Sequence, residues 1–372
     1  MEIRPFRIAI PEEALADLRE RLARTRRPDQ IEPGWSDGTD QTWLTELLRS
    51  WKDDFDWRAR ERDLNRLPQF IARVEPPGER SGDELDVHFV HLRNAAPDAL
   101  PLLLTHGWPG AFFELTRVAV LLSDAFHVVV PSLPGYGFSA KPSKPGTGTK
   151  EIAALWAKLM AGLGYQQFGL QGGDLGSHVS LWLARQFPDR VRGLHLNMLP
   201  PALQPSKESL RQRPLSESEQ KMAAAGLRFR ELEGAYSHLH RTKPQTLGHA
   251  LNDSPAGLAA WIGEKFHAWT QAPVARDELL TNLSIYWFTQ TITSSMRLYK
   301  ESARTPLQFE DGERLGVPLA YADFPGEIVR PPREWLERFA DVSRWTEMPR
   351  GGHFAALEQP DLLAADVRAF FT

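Results

Sequence analysis

The sequence predicts an α/β fold in which a mostly parallel sheet carries helices on both faces. Short apolar runs bounded by turn residues alternate with helix-compatible segments up to about residue 200, and this alternation is typical of parallel sheets. It then stops, and it resumes near Val317. Residues 201–305 show helix-like stretches without a strong strand pattern, so we predict that they form a helical insertion, a lid, within the sheet domain.

Three predicted strands, at residues 100–105, 126–131 and 193–197, are apolar runs of the kind expected for strands that are buried on both faces. The alternation of strands and helices resumes with strands at 317–322 and 343–348, and a looser alternation marks a strand at 83–92. Helices are predicted at residues 113–123, 148–163, 175–187 and 360–371. We therefore divide the core into two parts, residues 85–200 and residues 306–372, on either side of the insertion.

Residues 1–90 are predicted to form an N-terminal arm. Residues 5–10 are compatible with a short edge strand, and residues 11–22 with a helix, because apolar residues recur at i, i+3 and i+7 and Pro11 suits a first helical turn. A second helix is expected to start near Asp40. Its apolar face would carry Leu44, Leu47, Leu48 and Trp51. We interpret the arm as packing round the main domain, with a separate interaction module as the alternative.

The composition excludes several classes of function. The 372 residues include no cysteine, which excludes disulfides, thiolate metal sites and cysteine nucleophiles. A net charge of −4 gives no basic field for nucleic acid or for an acidic membrane surface. With no signal-peptide pattern and no apolar run of about 18 residues, we expect a soluble, cytoplasmic protein without a membrane anchor. No histidine pairing of the H-E-x-x-H kind is present, so neither a metal nor an organic cofactor is expected.

The strongest motif follows the apolar run that starts at Phe168. Residues 172–176 read GGDLG, which fits the small-x-nucleophile-x-small pattern of a strand-to-helix elbow. The small residues are needed because the nucleophile sits on a strained backbone in a very sharp turn. The nucleophile position holds Asp174 instead of serine. A carboxylate nucleophile is therefore predicted.

A carboxylate nucleophile needs a base that activates water against its ester, and the base needs an orienting acid. His353 follows a predicted strand and a Gly-Gly pair, and Glu327 follows the preceding strand. The order nucleophile, acid, histidine is that of α/β hydrolases. Asp323, directly at the strand end, is the alternative acid, and we favour Glu327.

Residues 106–110 read HGWPG and follow the buried strand at 100–105. In α/β hydrolases this loop supplies one oxyanion-hole N–H, and the residue after the nucleophile supplies the other. The N–H groups of Trp108 and Leu175 are the candidates, and a cis bond before Pro109 would turn the loop over the cavity. We expect the substrate pocket to include His106, Gly107, Pro109 and, from the loop at 134–139, Phe138.

Four motifs, HGWPG, PGYGFS, GGDLGS and RGGHFA, occur in this order around the helical insertion. Together they resemble the epoxide hydrolases of the α/β-hydrolase fold, of the microsomal or juvenile-hormone type. The resemblance covers nearly the whole chain, and residues 1–90 resemble the epoxide hydrolase N-terminal domain. Membrane-bound members carry an N-terminal anchor that is not seen here, so membrane attachment is not carried over.

The resemblance implies that Asp174 attacks an epoxide carbon, that His353 activates the water that cleaves the resulting hydroxyalkyl ester, and that a vicinal diol is released. Two lid tyrosines of the family, matched here by Tyr236 and Tyr299, would donate to the opening epoxide oxygen. A phenol with a pKa near 10 stays protonated at neutral pH. The many aromatic residues favour an apolar epoxide as the substrate, with water as the second reactant. The chain is also compatible with a homo-oligomer.

Two alternatives share parts of this pattern. A haloalkane dehalogenase also uses an aspartate nucleophile, but typically places a tryptophan after it, where this chain has Leu175. A non-catalytic receptor for a hydrophobic small molecule would keep the fold, but it would have no reason to keep Glu327 and His353. Both are less consistent with the sequence than an epoxide hydrolase.

Overall fold

The computed structural model describes residues 1–76 and 84–372. Its strands, in chain order, are β1 (Ile3–Phe6), β2 (Gln69–Val74), β3 (Leu85–Leu92), β4 (Pro101–Thr105), β5 (His127–Pro131), β6 (Phe168–Gly172), β7 (Val191–Leu196), β8 (Pro318–Asp323) and β9 (Asp341–Glu347). They form one sheet in the order β1-β2-β3-β5-β4-β6-β7-β8-β9. The pairs from β5 to β9 are parallel, and the pairs from β1 to β5 are antiparallel.

The helices, in chain order, are α1 (Glu12–Ala23), α2 (Gln41–Asp53), α3 (Trp57–Leu64), α4 (Thr116–Leu122), α5 (Thr149–Gly162), α6 (Asp174–Gln186), α7 (Lys207–Gln212), α8 (Glu217–Leu232), α9 (Ala235–Thr242), α10 (Pro244–Leu251), α11 (Pro255–Trp269), α12 (Arg276–Thr289), α13 (Ile292–Ser302), α14 (Arg333–Glu337), α15 (Ala355–Glu358) and α16 (Pro360–Phe371). Short 3-10 helices cover Phe112–Leu115 and Pro188–Arg190.

Alternate residues of the central strands point to opposite faces of the sheet and enter two separate apolar clusters. Leu103 and Val129 pack with residues of α5 and α6. Their neighbours Leu102, Leu104 and Val128 pack with residues of α4 and α16. Helices therefore cover both faces, which confirms the predicted fold class and explains why these strands read as continuous apolar runs.

The helical insertion occupies the connection between β7 and β8, where α7 to α13 follow one another without a strand. Because β4, β6, β8 and β9 run parallel, the loops at their carboxyl ends meet at one edge of the sheet. In open α/β sheets this edge is where ligands bind. The elbow, the HGWPG loop and the loops of Glu327 and His353 all start there.

The N-terminal arm contributes β1 and β2 to the antiparallel edge of the sheet. The edge strand lies at Ile3–Phe6, slightly before the predicted 5–10. The sequence did not predict α3 or β2, because α3 is mostly charged and β2 is short. Asp83, at the start of the strand predicted for 83–92, lies outside the described residues, and the strand begins at Leu85.

Within the described residues, none of the helices combines the length and the apolar character that crossing a bilayer requires.

Candidate active site

Asp174 stands at the sharp turn between β6 and α6. Its φ of 47° lies in the left-handed region, which non-glycine residues adopt at a cost. A Cβ at Gly176 would overlap the backbone oxygen of Thr105, so only glycine lets the first turn of α6 approach β4 this closely. The strained turn thereby holds the Asp174 carboxylate above the carboxyl ends of the strands.

Two backbone N–H groups face this carboxylate. The N–H of Trp108 donates to Asp174 Oδ1 at 2.8 Å, and the N–H of Leu175 also hydrogen bonds to the carboxylate. The peptide bond between Trp108 and Pro109 is cis. The predicted pair of oxyanion donors is thus assembled around one carboxylate group.

His353 bridges two carboxylates. Its Nε2 lies 3.4 Å from Asp174 Oδ2, and its Nδ1 lies 2.8 Å from Glu327 Oε1. The loops that carry His353 and Glu327 are joined by a hydrogen bond from the N–H of Gly326 to the oxygen of Gly351, at 2.9 Å. This backbone bond fixes the distance between the histidine and its acid.

Asp323, the alternative acid, is engaged elsewhere. Arg330 donates to both oxygens of Asp323, with Nε to Oδ1 at 2.7 Å and Nη2 to Oδ2 at 2.5 Å. The structure therefore pairs Glu327, and not Asp323, with His353.

Burial and charge act in opposite directions on this group of residues. Burial alone would raise the pKa of Asp174, but the hydrogen bond and charge of His353 and the N–H groups of Trp108 and Leu175 bring it below its usual value. Burial alone would lower the pKa of His353, but the charge of Glu327 and the hydrogen bonds to both carboxylates raise it well above its usual value. An imidazolium between two carboxylates is the resting state that follows.

Tyr236 on α9 and Tyr299 on α13 face the site from the insertion. The ring of Trp108 stacks on Tyr236 at 5.3 Å and meets Tyr299 edge-on at 6.1 Å. The two tyrosines contact each other at 6.1 Å between ring centroids and share a hydrogen bond. Burial, followed by other effects that include the charge of Asp174, raises the pKa of both phenols, so both are proton donors throughout the neutral range.

Further residues support the site but were not predicted from the sequence. The oxygen of Trp269 accepts the N–H of His353 at 3.0 Å, and the two rings lie 5.2 Å apart. The Lys265 Nζ, paired with Glu264 at 2.5 Å, sits 4.9 Å above the ring of Tyr236. Both Lys265 and Trp269 lie on α11, in a helical pattern that also fits plain packing, so no signal in the sequence distinguished them.

A small cavity adjoins the HGWPG loop, whose Gly107, Trp108 and Gly110 help to line it. It offers about 30 Å³ to the centres of water molecules, which is room for about two of them. Its walls include Asp174, His353, Gly107, Trp108, Thr105, Glu114, Gln171 and Asn197. Glu114 had no assigned role in the sequence analysis. The only feature that marks it in the sequence is that it is a single acid among apolar neighbours.

Three residues predicted for the substrate pocket, His106, Pro109 and Phe138, do not line this cavity. His106 Nε2 instead accepts the N–H of Leu133 at 3.1 Å, which ties its loop to the next one. Phe138 packs against Phe112 in the apolar core, with ring centroids 6.0 Å apart. A motif residue can thus support the loop from behind instead of facing the cavity, and the sequence pattern does not distinguish the two.

Comparisons with known proteins cover both the arm and the core. A family model described as epoxide hydrolase N terminus matches residues 3–115, and one described as alpha/beta hydrolase fold matches residues 101–270. Epoxide hydrolase 1 of Sus scrofa is 36% identical over 99% of this chain and 88% of its own length. Juvenile hormone epoxide hydrolase 1 of Ctenocephalides felis is 34% identical over 99% of this chain and 85% of its own length. The solved structure of Aspergillus niger epoxide hydrolase matches with a TM-score of 0.86 at 32% identity, covering 100% of this chain and 96% of that one.

Proposed function

This chain belongs to the epoxide hydrolases of the α/β-hydrolase fold, and from that premise we propose that it hydrolyses an apolar epoxide to a vicinal diol through a covalent ester on Asp174. One observation carries the proposal. A carboxylate, not a hydroxyl, occupies the elbow, and two hydrogen-bonded tyrosines face it from the insertion. Only an ester of a carboxylate can be hydrolysed again after alkylation, whereas an ether of serine would be permanent.

In the first step, Asp174 Oδ2 attacks an epoxide carbon while the carbon–oxygen bond of the ring breaks. Oδ1 becomes the ester carbonyl, since it already accepts the N–H of Trp108. The epoxide oxygen takes a proton from Tyr236 or Tyr299, which leaves a phenolate hydrogen bonded to the other phenol. Neutral donors suit this step because they need no ionisation before they act.

In the second step, water attacks the carbonyl carbon of the ester and gives one proton to His353. Ester formation has by then removed the negative charge of Asp174, which had helped to hold the His353 pKa high. The imidazolium therefore first gives its proton to the phenolate left by ring opening, and the neutral imidazole then acts as the base, oriented by Glu327 at 2.8 Å. The N–H groups of Trp108 and Leu175 stabilise the oxyanion, as such donors do in acyl transfer.

The collapse of this intermediate returns the enzyme to its starting state. His353 gives its proton to the departing alkoxide, so the diol leaves with both hydroxyls. The second hydrogen of the water remains on the Asp174 carboxyl and then passes to His353, which restores the carboxylate and the imidazolium. The aromatic walls built by Trp108, Tyr236, Tyr299 and Trp269 support an apolar epoxide as the substrate.

A His353→Gln variant tests the proposal, because without its base the ester should accumulate. The variant is incubated separately with an aryl epoxide and with a haloalkane, and the intact protein is weighed by mass spectrometry. We expect a mass increase equal to the whole epoxide, mapped to Asp174, and no adduct in an Asp174→Asn/His353→Gln control. An alkyl adduct from the haloalkane alone would indicate a dehalogenase, and no adduct from either would contradict the ester mechanism.

A further inference from the structure

The two steps above leave one acid of the site without a task. Glu114 lies in the 3-10 helix Phe112–Leu115 directly after the HGWPG loop, and its side chain lines the cavity that Asp174 and His353 also line. It is half-buried, and the described structure gives it no salt bridge. A carboxyl group placed inside a catalytic cavity without a basic partner needs a reason, since burying it is costly.

The HGWPG loop is shaped around this carboxyl group. A Cβ at residue 110 would overlap Glu114 Oε2, so the last glycine of the motif makes the space that the carboxyl occupies. The backbone N–H of Gly107 hydrogen bonds to it from the same loop. A Cβ at Gly107 would also overlap Asp174 Oδ1, so Gly107 contacts both carboxyl groups and its N–H holds that of Glu114 in place.

The cavity wall carries two further polar atoms that need partners. Thr105 Oγ1 and Gln171 Oε1 are buried, and neither has a hydrogen-bond partner within residues 1–76 and 84–372. Gln171 Nε2 donates to Asn197 Oδ1 at 2.8 Å. Its Oε1 therefore remains as an acceptor for another donor. Buried polar atoms are nearly always satisfied, often by ordered water, and this cavity has room for about two waters.

Burial, together with the charge of Asp174, raises the pKa of Glu114 to about 8. At neutral pH the group is therefore a neutral carboxylic acid with one donor and one acceptor oxygen, and burial, the larger of the two causes, still acts after Asp174 has become an ester. A neutral group adds no negative charge beside the oxyanion that forms during ester hydrolysis. It can hold a water without competing with His353 for its proton.

We propose that this cavity binds the water that hydrolyses the Asp174 ester, and that Glu114 is the residue that positions it. The inference rests on the proposed ester mechanism and adds the origin of the nucleophilic water. One hydrogen of the water points to His353 Nε2 and is transferred to it during attack. The other hydrogen points to the acceptor oxygen of Glu114, so a lone pair of the water oxygen faces the ester carbon. The Glu114 proton is directed to Gln171 Oε1 or, through the second water, to Thr105 Oγ1.

The test separates ring opening from ester hydrolysis in Glu114→Met and Glu114→Gln variants. Single-turnover reactions with an aryl epoxide are quenched in acid, and the fraction of ester on Asp174 is followed by intact mass. We expect Glu114→Met to form the ester within about threefold of the wild-type rate and to hydrolyse it about 10- to 100-fold more slowly, because the water loses its fixed orientation. Glu114→Gln, which keeps a neutral acceptor oxygen, should hydrolyse the ester within about threefold of wild type.

The same substitution at Glu61 is the matched control. Glu61 is buried, accepts the N–H of Ile10 at 2.7 Å, and lies outside the cavity, so Glu61→Met should leave the decay of the ester unchanged. If Glu114→Met does not fold, Thr105→Val replaces it, and we expect a slower ester decay of about threefold or more.

Three outcomes would overturn the inference. Ester decay at the wild-type rate in Glu114→Met, or in Thr105→Val where that variant is needed, would show that the water is held elsewhere. Equal slowing in Glu114→Met and Glu114→Gln would show that a neutral acceptor is not what the site needs. A slowing confined to ring opening would place Glu114 in the other step. If His353→Gln forms no ester at all, the proposed function itself fails, and this result is distinct from each of the three.

Discussion

The two halves of the active site are held in different ways. On the sheet side, backbone groups of the loops position the reacting residues: N–H groups fix the Asp174 carboxylate, and the Gly326–Gly351 hydrogen bond joins the loops of Glu327 and His353. On the insertion side, Tyr236 and Tyr299 are held by each other and by ring contacts with Trp108. The charged groups are thus held in place by backbone hydrogen bonds, and the neutral proton donors are held by side-chain packing.

This difference divides the chemistry. In the proposed mechanism, the sheet half determines that a carboxylate ester forms and is hydrolysed, since all of its groups act on the carboxyl group of Asp174. In the same mechanism, the insertion half determines which leaving group is accepted, because phenols would protonate an epoxide oxygen. Variants of the two halves should therefore differ in their effects. Those of the sheet side should change the formation or hydrolysis of the ester, and those of the insertion side should change the rate of ring opening.

The largest effect is expected for Asp174→Asn. Without the nucleophile, turnover of an epoxide should fall by about six orders of magnitude, as it does when the nucleophile of a catalytic triad is removed. Circular dichroism should show an unchanged fold, and intact mass should verify that the amide has not reverted. Asp253→Asn, at an exposed carboxylate, is the control. Wild-type turnover in a verified Asp174→Asn protein would show that Asp174 is not the nucleophile.

The next largest effect is expected for the double variant Tyr236→Phe/Tyr299→Phe. Loss of both donors should slow ring opening about 1000-fold, and each single change should cost far less, because the remaining phenol still protonates the oxygen. Single-turnover ester formation gives the rate. Tyr165→Phe, at a hydroxyl that hydrogen bonds to His91 on β3, should have no effect. An unchanged rate in the double variant would assign the proton donor to another group.

A smaller effect, of about 100-fold, is expected for Glu327→Gln on the hydrolysis of the ester, because the histidine loses the charge that orients it. Asp323→Asn breaks the pair with Arg330 and should instead lower the free energy of unfolding by about 1–3 kcal/mol, with ester hydrolysis nearly unchanged. Ester decay and urea unfolding distinguish the two variants. The reverse pattern would show that Asp323 is the acid.

The smallest effect concerns pH. The Asp174 pKa is lowered, so its carboxylate should be lost only when the pH falls below the usual range of about 3.9. The tyrosine pKa values are raised, so the donors remain protonated as the pH rises. The rate of ring opening should therefore vary by less than about twofold between about pH 5 and about pH 8. A steep fall in the rate of ring opening within this range, in protein that is still folded, would contradict the charges assigned to one half of the site.

The same division explains what could be predicted from the sequence. Asp174, Glu327 and His353 follow strands, and parallel strands bring their carboxyl ends together, so chain order and strand position were sufficient to predict that they meet. The fold class followed from the same alternation. Tyr236 and Tyr299 lie on helices whose packing depends on the whole insertion, and only the family resemblance singled them out.

Glu114, Lys265 and Trp269 were missed for a related reason. Their place in the site depends on how a short 3-10 helix turns back under a loop, or on which face of α11 meets the site, and neither is encoded in a local pattern. His106 and Phe138 show the converse, because they belong to strong motifs but contact Leu133 and Phe112 and do not line the small cavity beside Asp174.

The attachment of α2 to the insertion has a consequence for biosynthesis. Trp51 Nε1 donates to Ser284 Oγ at 2.9 Å across 233 residues of chain, and Leu47 beside it is almost fully buried. At about 5–20 residues per second, the ribosome needs about 10 to 50 s to deliver this partner after Trp51 is made. Throughout that interval α2 can pack against α1 but lacks its partners on the insertion, so the arm can complete its packing only after α12 has been made.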